Sequence, residues 1–275
     1  MRAYAKINVG LWIKERREDG YHELETIFLP IELYDEISVE TSDRFRIDGP
    51  NFGEDDLMYK AHRYLEARYG DLPVRVTIDK HIPVGAGLAG GTSDGAAVLK
   101  GVRDLYELPL SDVSLIEETS VLGADFPYCI YGKPALGTGI GDRLMPIEVP
   151  SFPLLLLNPG FSVSTKEAYG LWSSSNGGSS AEALFALKRS ALGELKNVVV
   201  NDLMPGVAKR HGEIEAMVRA LYERGAAFAD MTGSGPTVYG IFENDGDLNR
   251  AYAILKDKYE VVIKTRTRTS GEENE

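Results

Sequence analysis

The chain has 275 residues, 43% of them hydrophobic and 26% charged, an ordinary balance for a globular protein with a sizeable core. A formal net charge of -12 argues against a broad nucleic-acid-binding face, which needs clustered lysine and arginine, yet leaves room for anionic nucleotides held locally by backbone N–H groups and a few lysines. The one cysteine, Cys129, excludes an intrachain disulfide and a cysteine zinc cluster, and is expected to be a small buried residue rather than a nucleophile.

Residues 2–13 alternate loosely and are rich in Ile, Val and Leu, which predicts a strand. "LETIFLPIELYDEISVE" (24–40) predicts two more, with a bend at Pro30. "LMYKAHRYLEARYG" (57–70) has helical spacing and a terminal glycine, and "VRVTIDKHI" (74–82) alternates as a strand. A glycine-rich loop follows. Helices are then expected over 93–108, capped by Thr92 or Ser93, and over 111–123. After Val149-Pro150 the pattern restarts with a buried strand (153–160) and a capped helix (164–172). The Ser/Gly-rich stretch 173–182 predicts a mobile surface loop. Helices follow near 181–193 and 206–225, then a glycine turn and strand (230–242), a last helix, and a closing strand in "EVVIKTRTRT". The tail "SGEENE" is expected to be disordered. No period repeats. The order predicts an α+β protein of two layered halves, 1–150 and 151–275. No window approaches the ~20 apolar residues of a membrane span, and the N-terminus lacks a long apolar region, so a cytoplasmic protein with neither membrane nor nucleic-acid partner is expected.

The loop "IPVGAGLAGGTSDGAA" (82–97) imitates two phosphate motifs. Gly85 to Gly90 satisfies G-x-G-x-x-G, but a dinucleotide loop needs an acidic residue ending a second strand about 20 residues on, and "VRDLYELPLSDVS" is helix and turn. Extended to Thr92, the loop nearly satisfies G-x-x-x-x-G-K-[ST], but Gly91 stands where the phosphate-binding lysine belongs. What survives is the physics common to both. Glycines let backbone N–H groups approach an anion closely, and the helix that follows presents its positive end. Thr92, Ser93 and Asp94 add oxygens suited to phosphate or to Mg²⁺. A tight helix–sheet turn with no ligand fits the loop alone as well.

Three separated segments together resemble the GHMP kinase superfamily: "YAKINVGLWI" near the N-terminus, "PVGAGLAGGTSDGAA", and "TGSGPTVYGIF" (232–242). Within it, "AKIN", "REDGYHELETIF" and "LGADFPYCIYGKPALGTGIGDRL" (122–144) resemble the 4-diphosphocytidyl-2-C-methyl-D-erythritol kinases. The resemblance spans nearly the whole chain. It implies a two-lobed fold, with an N-terminal half like ribosomal protein S5 domain 2 and a ferredoxin-like C-terminal half. It also implies γ-phosphoryl transfer from ATP with Mg²⁺ to the tertiary 2-hydroxyl of a cytidine-diphosphate-linked substrate, in the non-mevalonate route to isoprenoids.

Residue by residue, the resemblance assigns the catalytic pair to Lys6 and Asp125. A carboxylate at 125 would accept the hydroxyl proton, whereas an aspartate beside a helix also fits a simple cap. A lysine in the apolar strand around Lys6 is costly unless paired; pairing with Asp125 removes that cost, while an edge position facing solvent would avoid it. ATP is expected at Pro83, Val84, Gly85, Ala86, Gly87, Leu88, Ala89, Gly90, Gly91, Thr92 and Ser93. The cytidine substrate is expected at Asn8, Tyr21, His22, Phe28, Thr165 and Tyr169, with His22 on the base edge and Tyr21 and Tyr169 on its faces. His62, His81 and His211 match no role.

The chain departs from the family pattern at Ala89, where glycine is usual, at Thr92, where serine is usual, and at Asp56, where many members carry an adenine-side asparagine. Two alternatives stand beside the main reading: a homoserine- or mevalonate-type GHMP kinase, and a catalytically silent nucleotide sensor on the same fold. The sequence leaves monomer and homodimer equally open.

Overall fold

The computed structural model describes residues 1–272. Two long strands, β1 (Arg2–Arg16) and β2 (His22–Thr41), pair antiparallel over most of their length. There follow β3 (Arg46–Asp48), α1 (Leu57–Tyr69), β4 (Val74–Asp79), α2 (Gly90–Leu105), α3 (Asp112–Glu118), α4 (Phe126–Tyr131), β5 (Ala135–Thr138) and β6 (Arg143–Pro146). These strands form one sheet in the order β3-β4-β2-β5-β6, with β1 beside β2. The second half runs β7 (Pro153–Asn158), α5 (Thr165–Leu171), α6 (Ser180–Lys188), α7 (Leu195–Val198), α8 (Met204–Arg210), α9 (Glu213–Glu223), β8 (Phe228–Met231), β9 (Val238–Ile241), α10 (Asp245–Leu255) and β10 (Val261–Arg266). Its sheet is antiparallel, in the order β10-β7-β9-β8. The α+β class expected from the sequence is the class observed.

Alternation along strands divides the core into layers. Leu154 and Leu156 of β7 pack with Ile7, Val9, Ile27 and Leu29 of the first sheet, so one hydrophobic cluster joins the halves. Leu155 and Leu157 face the other way, onto α8, α9 and α10. A strand buried on both faces reads as a continuous apolar run, as "PLLLL" does. A third cluster seats α1 to α4 on β2 and β4 through Leu65, Val76, Val98, Leu115 and Phe126.

Several expected boundaries move, each for a local reason. The two strands expected over 24–40 are one. Pro30 sits inside β2 opposite Lys6, where the β1–β2 register shifts between Tyr4 and Lys6, so the missing N–H falls at an irregularity of the ladder. Helix α2 starts at Gly90, three residues before the expected start. Its cap is Ala89, with a left-handed backbone (φ 59°) and no side-chain cap bond. The helix expected over 206–225 is two, broken at His211 and Gly212. The 173–182 loop is tied down rather than free: Ser175 donates to the Ile13 carbonyl, Asn176 donates to Asp202 and Ser179 caps α6. Of the tail expected to be disordered, residues 270–272 form a turn in which Glu272 accepts from Thr269; residues 273–275 lie outside the described residues.

Candidate active site

A cavity of about 1450 Å³ is lined from both halves of the chain. Its walls come from β1 and β2, the glycine loop before α2, the residues before α4, α5, and the glycine turn between β8 and β9. The joined core fixes the two sheets against each other, and the loops at their common edge close over the gap.

The glycine loop enters as backbone. At Gly87 (φ +76°) an added Cβ would lie 2.8 Å from the carbonyl oxygens of Thr232 and Gly235. Only glycine adopts that conformation cheaply at such a distance. The first glycine loop therefore abuts the glycine turn of the second half, and these two resemblance-bearing motifs form one wall. Gly91 is different: an added Cβ would meet only Leu57 Cδ1, at 3.8 Å, so its backbone lies open toward the cavity. Pro83, Val84, Gly85, Ala86, Ala89, Gly90 and Thr92 also line the cavity. Two residues expected there do not. Leu88 is buried in the shared core, and its carbonyl accepts from the Lys6 backbone N–H at 3.1 Å. Ser93 is buried too, its Oγ donating to the Tyr4 carbonyl at 2.8 Å. With α2 beginning at Gly90 instead of at 93, the helical period turns Ser93 inward.

Lys6 and Asp125 meet at this wall. Lys6 Nζ lies 3.5 Å from Asp125 Oδ2, donates to Asn8 Oδ1 at 2.7 Å and to the Gly87 carbonyl at 3.3 Å. The Lys6 side chain is 6% exposed and Asp125 36%. Lys6 is thus a buried, multiply held cation, and not a solvent-facing edge residue. Asp125 occupies the residue before α4 but makes no side-chain cap bond, so the simple-cap alternative fails. Asn8 lines the cavity with its amide engaged on both sides, Oδ1 on Lys6 and Nδ2 on Thr26 Oγ1 at 2.8 Å. Its observed task is to hold the ammonium.

The opposite end is aromatic. His22 stacks on Tyr169 (centroids 5.0 Å apart, planes 24° apart) and meets Trp172 edge-on at 5.1 Å. Burial, and then the charge of Arg16, hold the His22 ring below its ordinary pKa, which favours the neutral imidazole. Burial, with a smaller push from the Asp125 charge, raises the Tyr169 phenol well above its usual range. Tyr21 stands at the rim, 57% exposed. Thr165 lines the cavity with its Oγ1 3.4 Å from Ser234 Oγ. Phe28 lines it while stacking on Tyr128 at 4.3 Å. Sequence reasoning missed Trp172, Arg16, Lys80, Gly233 and Ser234, which all line the same cavity. Trp172 carried a usable signal, an aromatic three residues beyond Tyr169 and just past the end of α5.

Asp56 lines the cavity too, but its carboxylate caps α1 by accepting from Met58 N at 2.8 Å. The remaining histidines lie outside the cavity lining. His62 stacks on Phe45 and bonds the Leu72 carbonyl, His211 stacks on Phe161, and His81 stands 3.4 Å from Asp79. Burial pushes the Cys129 thiol up to about 12, which leaves it un-ionised and unreactive.

Residues 56–133 match the family model described as GHMP kinases N terminal domain, and residues 181–261 match GHMP kinases C terminal. A 4-diphosphocytidyl-2-C-methyl-D-erythritol kinase of Caldanaerobacter subterraneus is 37% identical over 280 aligned residues, covering 98% of this chain and 97% of that one. One of Moorella thermoacetica is also 37% identical, covering 96% and 97%. A crystal structure of 4-(cytidine 5'-diphospho)-2C-methyl-D-erythritol kinase superposes with a TM-score of 0.85 at 31% identity, over 98% of this chain and 99% of that one. Mevalonate kinase from L. major (TM-score 0.71, 18% identity, covering 98% and 96%) shares the fold alone.

Proposed function

Since the chain belongs to the 4-diphosphocytidyl-2-C-methyl-D-erythritol kinases of the GHMP kinase family, we propose that it moves the γ-phosphoryl group of ATP onto the 2-hydroxyl of that cytidine-diphosphate substrate. The reaction serves the non-mevalonate supply of isoprenoid precursors. The observation that carries the reading is the Lys6–Asp125 pair, held between an open glycine backbone on one side and an aromatic group on the other.

The chemistry follows from the positions. Asp125 accepts the proton of the tertiary hydroxyl as its oxygen bonds to the γ-phosphorus. The bond from that phosphorus to the β,γ-bridging oxygen breaks, and its electron pair leaves with ADP. Lys6 lies between the Gly87 carbonyl and Asp125, where positive charge stabilises the negative charge spreading over the transferred group. Asn8 keeps the ammonium aimed. The backbone at Gly90 and Gly91, with the first turn of α2 behind it, faces the phosphate chain.

Mg²⁺ would neutralise phosphate charge. Among the described residues no three of His, Cys, Asp and Glu cluster to cage a metal. Of the three residues expected near it, Thr92 and Asp94 line the cavity, with Asp94 Oδ2 engaged by Lys80; Ser93 is turned inward. Tyr169, Tyr21 and His22 are the groups for the cytosine, and residues 1–150 and 151–275 are the two lobes. We place the enzyme in the cytoplasm, on its single cysteine and acidic composition.

Coupled ADP release tests the substrate. Purified protein with Mg·ATP should turn over 4-diphosphocytidyl-2-C-methyl-D-erythritol and ignore mevalonate and homoserine. Turnover of either alternative in its place refutes the substrate assignment. No ADP with any of the three refutes the kinase reading and favours the silent sensor.

A further inference from the structure

Beneath the glycine loop lies a charged group that the transfer reaction does not use. Lys80 Nζ donates to Asp35 Oδ2 at 2.6 Å and to Asp94 Oδ2 at 2.7 Å. The two carboxylate side chains are 0% and 3% exposed, the lysine 15%. Asp35 belongs to β2, Lys80 follows the end of β4, and Asp94 lies in the first turns of α2. Asp35 Oδ1 also accepts the backbone N–H groups of His81 and Ile82. One buried ammonium and two carboxylates therefore connect the segment entering the glycine loop to the helix leaving it, and anchor both on the central strand.

Burying this group is costly unless its geometry does something for the fold or for the site. Asp94 Oδ1 is buried without a hydrogen-bond partner, so Lys80 is the sole offset for that carboxylate among the described residues. A pair kept only for stability would be replaceable by apolar packing, yet Lys80 and Asp94 both reach the cavity wall. The loop needs such an anchor. Ala89, at its end, is held in a left-handed conformation that strains an L-residue, and Gly90 packs so tightly that an added Cβ would lie 2.8 Å from Ile82 Cγ2. Fixing Lys80 to Ile82 on one side and Asp94 on the other sets the span that the intervening backbone must cross.

We propose that Asp35, Lys80 and Asp94 are positioning residues that fix the span of the glycine loop and so aim its backbone N–H groups at the ATP phosphates. The inference rests on the ATP-binding reading above. It assigns to the bridge the affinity for ATP, and not the affinity for the alcohol substrate or the proton transfer.

The test uses full-length protein and calorimetric binding of Mg·ATP without the second substrate, followed by steady-state kinetics with it. Removing Lys80 would strand two buried carboxylates, so Asp94 is the site to change. Asp94→Ala cuts the bridge yet leaves Lys80 paired with Asp35; Asp94→Asn keeps a carbonyl acceptor for Lys80. Expected is an increase of about 10-fold or more in the ATP dissociation constant and KM for Asp94→Ala, with KM for the cytidine substrate within about twofold of wild type. Asp94→Asn should recover most of the ATP affinity. A folded Asp94→Ala protein that binds Mg·ATP like wild type overturns the inference and leaves the kinase reading standing. Parallel losses in both KM values, or no rescue by Asp94→Asn, reduce the bridge to general stability and also overturn it. A wild type that binds no Mg·ATP overturns both readings.

Discussion

The two ends of the cavity are built from different materials. The proposed phosphate end is backbone: Gly87 and Gly91 present main chain, and the side chains around them either turn into the core, as Leu88 and Ser93 do, or lock one another, as Lys80 and Asp94 do. The proposed base end is side chain. His22 stacks on Tyr169 at 5.0 Å and meets Trp172 edge-on at 5.1 Å, with Tyr21 exposed at the rim. A backbone-built end tolerates little and recognises only charge and reach, because every residue offers the same N–H. A side-chain-built end chooses the substrate, because its shape and hydrogen bonds change with each residue. Lys6 and Asp125 stand at the seam, where Lys6 is tied to the glycine loop through the Gly87 carbonyl.

The seam gives the largest expected effect. Asp125→Asn removes the proposed proton acceptor but keeps size and hydrogen bonding, so kcat should fall by about 10²–10⁴. Neither KM should move more than a few-fold, because neither end is touched. Steady-state kinetics with each substrate varied checks this. A large KM change with kcat preserved would make Asp125 part of one end and not of the seam.

The difference between the ends also explains what the sequence revealed. Backbone chemistry leaves only glycines behind, and "GAGLAGG" imitated two unrelated phosphate motifs because glycine reports freedom of approach and nothing of the partner. Side-chain chemistry is written in the letters themselves, so "AKIN", "GYH" and "LGAD" carried the family resemblance. What stayed hidden was long-range or small. Asp35 and Lys80 are 45 residues apart, and no local pattern announces their contact. The start of α2 was misplaced because Gly90 and Gly91 are poor helix formers that tertiary packing forces into the first turn. β5, which contains Gly137, and β6 are only four residues each, too short to leave a readable alternation. Pro30 argued for a break that the irregular β1–β2 register makes unnecessary.

Trp172→Ala probes the base end alone. It removes the edge-on partner of His22 and opens a wall of the cavity. An aromatic pair contributes ≈ 0.5–1.5 kcal/mol beyond area burial, so KM for the cytidine substrate should rise about 3- to 10-fold. The ATP KM should stay within twofold. Equal rises in both would show that the two ends are coupled after all.

Ala89→Gly probes the phosphate end in the opposite direction, by relieving strain. Position 89 has φ 59° and caps α2, a backbone that glycine adopts without penalty. The gain is partly offset, because glycine also loosens the unfolded chain. The net expectation is a stabilisation of up to about 1 kcal/mol, read as a higher midpoint in urea unfolding with an unchanged slope. The cytidine KM should not respond. A destabilised Ala89→Gly protein would mean that the alanine methyl packs well enough to outweigh the strain.

The smallest effect concerns protons at the base end. Burial and the neighbouring charge of Arg16 hold His22 below its ordinary value of 6.5, while Tyr169 and Trp172 cover its ring without offering it a carboxylate. Around and below that value the unfolded chain takes up a proton that the folded chain resists, so this residue makes stability rise as pH rises through the window. His22→Gln carries no such proton. Melting temperatures of the two proteins between pH 5 and pH 8 should therefore diverge in slope, wild type losing more on the acid side. The ring is only partly covered, and solvent screening keeps the difference small. A wild type that instead gains stability on acidification relative to His22→Gln would mean that the ring has an anionic partner, and that the base end is held by charge as the phosphate end is.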